Sequence, residues 1–124
     1  MAHIIELFFK SDSRGSLVDI RNSLPFDIKK VLFIYDVHEK RGGHKHKETI
    51  QGLICLNGSC EIFTDNGKEE KTFVLDSPDK CLILNPEDWH TMDKFSEGAI
   101  LIVLASMPYN PDDYIYEKPT RKND

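Results

Sequence analysis

Arg41-Gly42-Gly43-His44-Lys45-His46-Lys47-Glu48-Thr49-Ile50-Gln51-Gly52-Leu53-Ile54-Cys55-Leu56-Asn57-Gly58 is the stretch around which this chain is read. His44 and His46 stand two residues apart in an extended context, and the period of two sends both imidazoles to one face of a strand. A break at Lys47-Glu48 precedes a second predicted strand, Thr49 to Leu56, which Asn57-Gly58 closes as a turn. Paired imidazoles act as metal ligands or as proton carriers, because the ring titrates near neutrality and its lone pair suits zinc, iron, nickel or copper. A solvated HKHK patch has the same spacing. The glycine pair before it and the hairpin after it weigh against a mere surface patch.

Outward from this stretch, short apolar runs bounded by turn residues recur along the chain: His3–Phe9, Ser16–Ile20, Val31–Val37, Ser59–Thr64, Lys71–Leu75, Cys81–Leu84 and Gly98–Ala105. None keeps a helical period for three turns, so the pattern predicts an all-β sandwich or barrel. Asp65-Asn66-Gly67-Lys68 is a candidate type I′ hairpin and Ser77-Pro78-Asp79 another turn. Val31–Asp36 and Gly98–Ala105 are apolar on both faces, which predicts cover from a subunit contact and hence a homodimer. The segment from about Pro108, with three prolines and many charges, reads as an extended tail.

With 124 residues the chain is expected to form a single domain over 1–124. A net charge of −5 argues against a nucleic-acid partner, although one or two arginines suffice for a small phosphorylated ligand. Cys55, Cys60 and Cys81 form neither a CxxC motif nor a disulfide framework. The opening MAHIIELFFK carries His3 and Glu6 in its apolar run and reads as a strand, while the Ala99–Ala105 run is too short to span a bilayer. A cytoplasmic location without membrane contact is expected.

From His44 the spacing is H-x-H-x4-Q-x6-G, ending at Gly58, and Asn85-Pro86-Glu87-Asp88-Trp89-His90 is a proline turn followed by a histidine on a returning strand. Together they resemble the two signatures of the cupin superfamily, β-barrels of the jelly-roll type. A glutamate normally stands where Gln51 stands here. An amide supplies no negative charge, so the expectation is a site with no metal and no cofactor.

The flanks make the resemblance narrower. Asp12-Ser13-Arg14-Gly15-Ser16-Leu17-Val18, Arg41 to Lys47, Cys55-Leu56-Asn57-Gly58-Ser59, Leu75-Asp76-Ser77-Pro78, Val103-Leu104-Ala105-Ser106, Tyr109 and Asp113-Tyr114-Ile115 together resemble the sugar 3,4-ketoisomerases. These enzymes act on dTDP-4-keto-6-deoxyglucose in deoxysugar biosynthesis for lipopolysaccharide O-antigen and other glycans. The resemblance implies a strand-exchanged dimer of jelly-roll barrels, with the segment around Ile4 to Phe9 pairing with the partner. It also implies His46 as the base that removes the C3 proton and His44 as the group that moves the hydroxyl proton. A C4 ketone acidifies the C3 hydrogen, so a neutral imidazole can take it and give an enediol. Arg41 and Arg14 are candidates for the diphosphate or the enediolate oxygen, because a guanidinium offers fixed forked donors. Tyr35, Gln51 and His90 are candidate substrate contacts, His90 being alternatively a histidine satisfied inside the barrel mouth. In resembling enzymes an Arg-Gly pair such as Arg14-Gly15 goes with the galacto product. After Ile115 this chain departs from the family's usual continuation, which leaves the role of its tail open. A metal-dependent cupin, a deoxysugar epimerase and a non-catalytic sugar-nucleotide-binding cupin remain as alternatives.

Activity is expected to withstand prolonged chelation. Stoichiometric metal in the purified protein, with activity lost to a chelator and restored by a divalent ion, would contradict it.

Overall fold

The computed structural model describes residues 1–121. It is all-β: two five-stranded antiparallel sheets face each other, accompanied by a two-stranded hairpin. The strands are β1 (His3–Glu6), β2 (Phe8–Asp12), β3 (Gly15–Asp19), β4 (Lys30–Tyr35), β5 (Arg41–His46), β6 (Gln51–Asn57), β7 (Cys60–Asp65), β8 (Glu70–Leu75), β9 (Lys80–Leu84), β10 (Trp89–Asp93), β11 (Ile100–Ala105) and β12 (Tyr114–Ile115). The first sheet runs β1-β9-β6-β11-β4 and the second β12-β5-β10-β7-β8, with β2-β3 apart. Among the described residues no helix is long and apolar enough to cross a membrane.

Alternation along each strand builds the core. Leu53, Leu82, Leu84, Leu101 and Val103 of the first sheet meet Cys60, Ile62, Phe73, Leu75 and Met92 of the second. Each fully buried aliphatic side chain here is worth roughly 1.5–3 kcal/mol over leaving it in water. A second cluster lies on the opposite face of the first sheet, where Ile54, Ile83 and Leu104 are covered by Leu7, Val18, Ile20 and Phe26 of the same chain. Part of the cover expected from a partner subunit is thus supplied internally. It does not reach β4, whose outward Val31, Phe33 and Tyr35 stay exposed at the sheet edge.

Three expectations of local structure are corrected: the first strand, the turn after Asp65 and the tail. The single strand over His3–Phe9 is two strands, broken at Leu7, whose side chain is buried and whose N–H donates to the Asp79 carbonyl at 2.8 Å. Ile4 to Glu6 pair with β9 of the same chain, and among the described residues β1's other edge and the β2–β3 hairpin have no further strand partners. The turn after Asp65 is a four-residue loop rather than a two-residue type I′ turn. Gly67 has φ +90° but Asn66 is not in the left-handed region, because its side chain accepts from the N–H groups of Lys68 and Glu69, both at 2.9 Å. The tail also carries structure. Asn110 caps a 3-10 turn over Pro111–Asp113, and β12 then pairs with β5.

All three cysteines are buried and free, with burial pushing the Cys60 and Cys81 thiols up to about 12.

Candidate active site

β5 places the paired histidines at one mouth of the fold. Gly42 and Gly43 both have positive φ, +87° and +88°, and a Cβ at Gly42 would sit 3.0 Å from the His90 carbonyl oxygen. The glycine pair therefore lets β5 bend close against β10, where a register shift follows the His90–His44 pairing. Three imidazoles converge: ring centroids are 5.2 Å apart for His44 and His46, 5.0 Å for His44 and His90, and 6.4 Å for His46 and His90. Tyr114 of β12 packs 4.8 Å from His44 and 4.7 Å from His46, and Tyr116 stacks on Tyr114.

His46 is only 5% exposed, and its Nδ1 lies 2.9 Å from Asp113 Oδ2. The Asp113 carboxylate, itself buried, also accepts from the Thr49 hydroxyl at 2.5 Å and the Glu48 N–H at 2.9 Å. Burial works to raise its pKa, but these hydrogen bonds outweigh it and hold the acid below the usual carboxylate range. Burial lowers the His46 pKa against the opposing pull of Asp113. At neutral pH the pair is therefore a carboxylate bonded to a neutral imidazole, with Nδ1–H as donor and the Nε2 lone pair available. His44 is pushed down to about 4 by burial, and by His46 and Lys30 next to it.

His90, at 1% exposed, sits within bonding distance of the Asp88 carbonyl through Nδ1 at 3.1 Å, and burial pushes it to about 3. Three buried acceptors, His46 Nε2, His90 Nε2 and Gln51 Oε1, have no partner among the described residues. Unpaired buried polar atoms are costly and mark a place where a ligand or water completes the bonding. Among the described residues no group of three or more His, Cys, Asp or Glu has the arrangement to hold a metal ion.

A cavity of about 140 Å3 opens here, lined by Arg41, His44, Gln51 and Tyr114 together with Lys30 and Met92. Of the residues singled out in the sequence, the structure thus gathers His44, His46, His90, Gln51 and Arg41. It does not bring in Tyr35, because the alternation of β4 turns Leu32 and Ile34 to the cavity and leaves Tyr35 outside, 64% exposed. Nor does it bring in Arg14 and Gly15. They lie at the tip of the separate β2–β3 hairpin, where Arg14, 86% exposed, pairs with Asp12 at 2.7 Å. Sequence reasoning missed the roles of Asp113, Thr49 and Lys30. Asn110-Pro111 is a readable cap for a helical turn, yet nothing local says that the turn docks under β5, 67 residues away in sequence.

The family described as "FdtA: WxcM-like, C-terminal" matches residues 1–123. The chain belongs to this family. It is 46% identical over 108 residues, 84% of this chain and 78% of the relative, to a TDP-4-oxo-6-deoxy-alpha-D-glucose-3,4-oxoisomerase of Aneurinibacillus thermoaerophilus. A 3,4-ketoisomerase from Helicobacter canadensis superposes with a TM-score of 0.89 at 40% identity, covering 94% of this chain and 90% of that one. A mutant of the ketoisomerase QdtA from Thermoanaerobacterium thermosaccharolyticum, in complex with TDP-4-keto-6-deoxyglucose, gives 0.90 at 39% identity, covering 94% and 87%. These relatives share the two-sheet, cupin-like architecture, and the chain is a 3,4-ketoisomerase enzyme.

Burial of neutral His90 predicts a pH dependence of stability. Its pKa is about 3 folded against an ordinary 6.5, so between these values the unfolded state binds the extra proton. The contribution is complete above pH 6.5 and falls by about 1.4 kcal/mol per pH unit as pH drops toward 3. His90→Asn should flatten the slope of unfolding free energy between pH 4 and 6 by about that amount; identical slopes in urea titrations would contradict it.

Proposed function

We propose that the chain converts TDP-4-keto-6-deoxyglucose to its 3-keto isomer through an enediol, with histidines as the acid and base. The observation that carries this reading is the buried Asp113–His46 bond beside a second, neutral imidazole at a cavity that Arg41 also lines. In the reaction the C3–H bond breaks, its electron pair forms the C3–C4 double bond, and the C4 oxygen gains a proton. The C3 hydroxyl then yields its proton, the C3 oxygen becomes the ketone, and C4 receives a hydrogen. Atoms and electrons balance without an external oxidant.

Taking a proton from carbon needs a base whose conjugate acid is supported. Asp113 gives His46 that support, and it fixes the tautomer that leaves Nε2 as acceptor. His44, with a pKa near 4, gives up a proton readily and suits transfer between the two oxygens. Arg41 is the donor for negative charge on the substrate, and Gln51 and His90 carry the unpaired buried acceptors that a sugar hydroxyl would satisfy. One observation favours a second division of labour: His44 lines the cavity, whereas His46 is not among its lining residues. In that version His44 takes the C3 proton and the Asp113–His46 pair handles the hydroxyl.

A homodimer completes the proposal. The exposed Val31, Phe33 and Tyr35 on edge strand β4, with Phe8, Phe9 and Leu17 on the β2–β3 hairpin, form apolar surface that a second copy would cover. Association is also what would bring Arg14, Gly15 and Tyr35 to a substrate site. Light scattering should give twice 14.3 kDa.

Incubation with TDP-4-keto-6-deoxyglucose in heavy water should place deuterium at C4 of a 3-keto product, and His46→Asn should lower the rate by about 100-fold to 10,000-fold while TDP binding persists. Near wild-type turnover in His46→Asn, with loss in His44→Asn, would exchange the two roles. With Arg14-Gly15 present, the expected product is TDP-3-keto-6-deoxygalactose; a large diaxial H4–H5 coupling in the reduced product would mean the gluco configuration instead.

A further inference from the structure

The chain beyond Asp113 leaves the histidine cluster and crosses the outside of the second sheet. Tyr114 and Ile115 pair with His46 and Lys45, and the Trp89 indole N–H donates to the Tyr116 carbonyl at 3.2 Å. The Lys118 ammonium then lies 5.3 Å from the Phe63 ring centroid and 5.6 Å from that of Trp89. Finally Arg121 grips Asp65 with both guanidinium nitrogens, at 2.7 and 3.1 Å, and reaches Glu70 at 3.3 Å. Asp65 is wholly buried at the end of β7 and also accepts from the Gly67 N–H at 2.9 Å.

Asp113 itself is tied by the Lys47 and Glu48 N–H groups and the Thr49 hydroxyl, but beyond Tyr116 the described residues of the segment have few other contacts to hold them. Residues 116–118, 120 and 121 are exposed, and a two-residue strand such as β12 is too short to be secure alone. A forked Arg–carboxylate bond to a buried acid is different in kind from a surface pair, because losing the arginine strands a charge out of water. Yet Asp113 and Tyr114, at the start of the same segment, touch His46 directly. Arg121 lies seven and eight positions after the two residues that touch His46, on one continuous segment.

We infer that Arg121 is a positioning residue for the isomerisation: by clamping the C-terminal strap to Asp65, it holds Asp113 and Tyr114 against His46. The inference rests on His46 being part of the acid-base machinery. It assigns the tail a role in turnover rather than in nucleotide affinity.

The test compares Arg121→Met, Arg121→Lys, Asp65→Asn and the double variant Arg121→Met/Asp65→Asn. Arg121→Met should lower kcat by roughly 10-fold to 100-fold, the scale of a small misplacement in a reacting site, with KM within about twofold. In proton NMR the His46 Nδ1–H, identified by its loss in His46→Asn, should exchange faster with water. Arg121→Lys should recover part of both effects, and the double variant should be no slower than Arg121→Met alone, since the two residues act through one contact. Unchanged kcat in Arg121→Met, or a fall in kcat that leaves the His46 proton's exchange as in the wild type, would overturn the inference. Deuterium incorporation by the wild-type enzyme reports separately on the isomerase reading, so failure of one does not pass for failure of the other.

Discussion

The buried carboxylate of Asp113 is the constraint on which the site depends. It accepts from Thr49, from the Glu48 N–H and from His46, and so joins three parts of the chain: the β5 histidines, the turn into β6, and the C-terminal turn that follows β11. A buried charge with fewer partners would be costly, so the break at Lys47-Glu48 cannot drift from the tail without a large penalty. The same three bonds make Asp113 a firm anion and give His46 one defined tautomer. One interaction thus ties the local structure to the protonation state of His46.

Around that anchor the barrel supplies desolvation. The sheet core behind His90 and Met92 pushes the imidazoles to their neutral forms, which is the state a base must have before it can act. Burial alone would make weak bases. Asp113 offsets this for His46 and not for His44, so two chemically identical side chains two residues apart acquire different proton affinities. Such a split suits a reaction in which one proton leaves carbon and another passes between oxygens.

The sequence made the architecture legible because its signals were local. Alternating apolar runs gave nearly every strand, and the period of two placed His44 and His46 on one face as observed. Where a side chain competed with the backbone, the reading slipped: the Asn66 side chain reorganised the turn, and buried Leu7 broke the first strand. The paired glycines before His44 are conspicuous in the sequence, but the close approach that requires glycine at position 42 involves the His90 carbonyl on another strand. Asp113 is the clearest case of what sequence pattern does not carry. It stands among charged and proline residues that look like a solvated tail, and its burial follows only from where that tail docks. Arg14, Gly15 and Tyr35 are the reverse case, conspicuous in sequence but outside the cavity of one chain. They belong to the cluster only if a second chain brings them there.

The most direct test of this account removes the charge of Asp113 and keeps its shape. Asp113→Asn should fold and bind TDP within about twofold of the wild type, while turnover of TDP-4-keto-6-deoxyglucose, followed by deuterium appearing at C4, falls on the order of 100-fold or more. Turnover close to wild type in a folded Asp113→Asn protein would mean that the carboxylate is a structural tie alone and that the base does not rely on it.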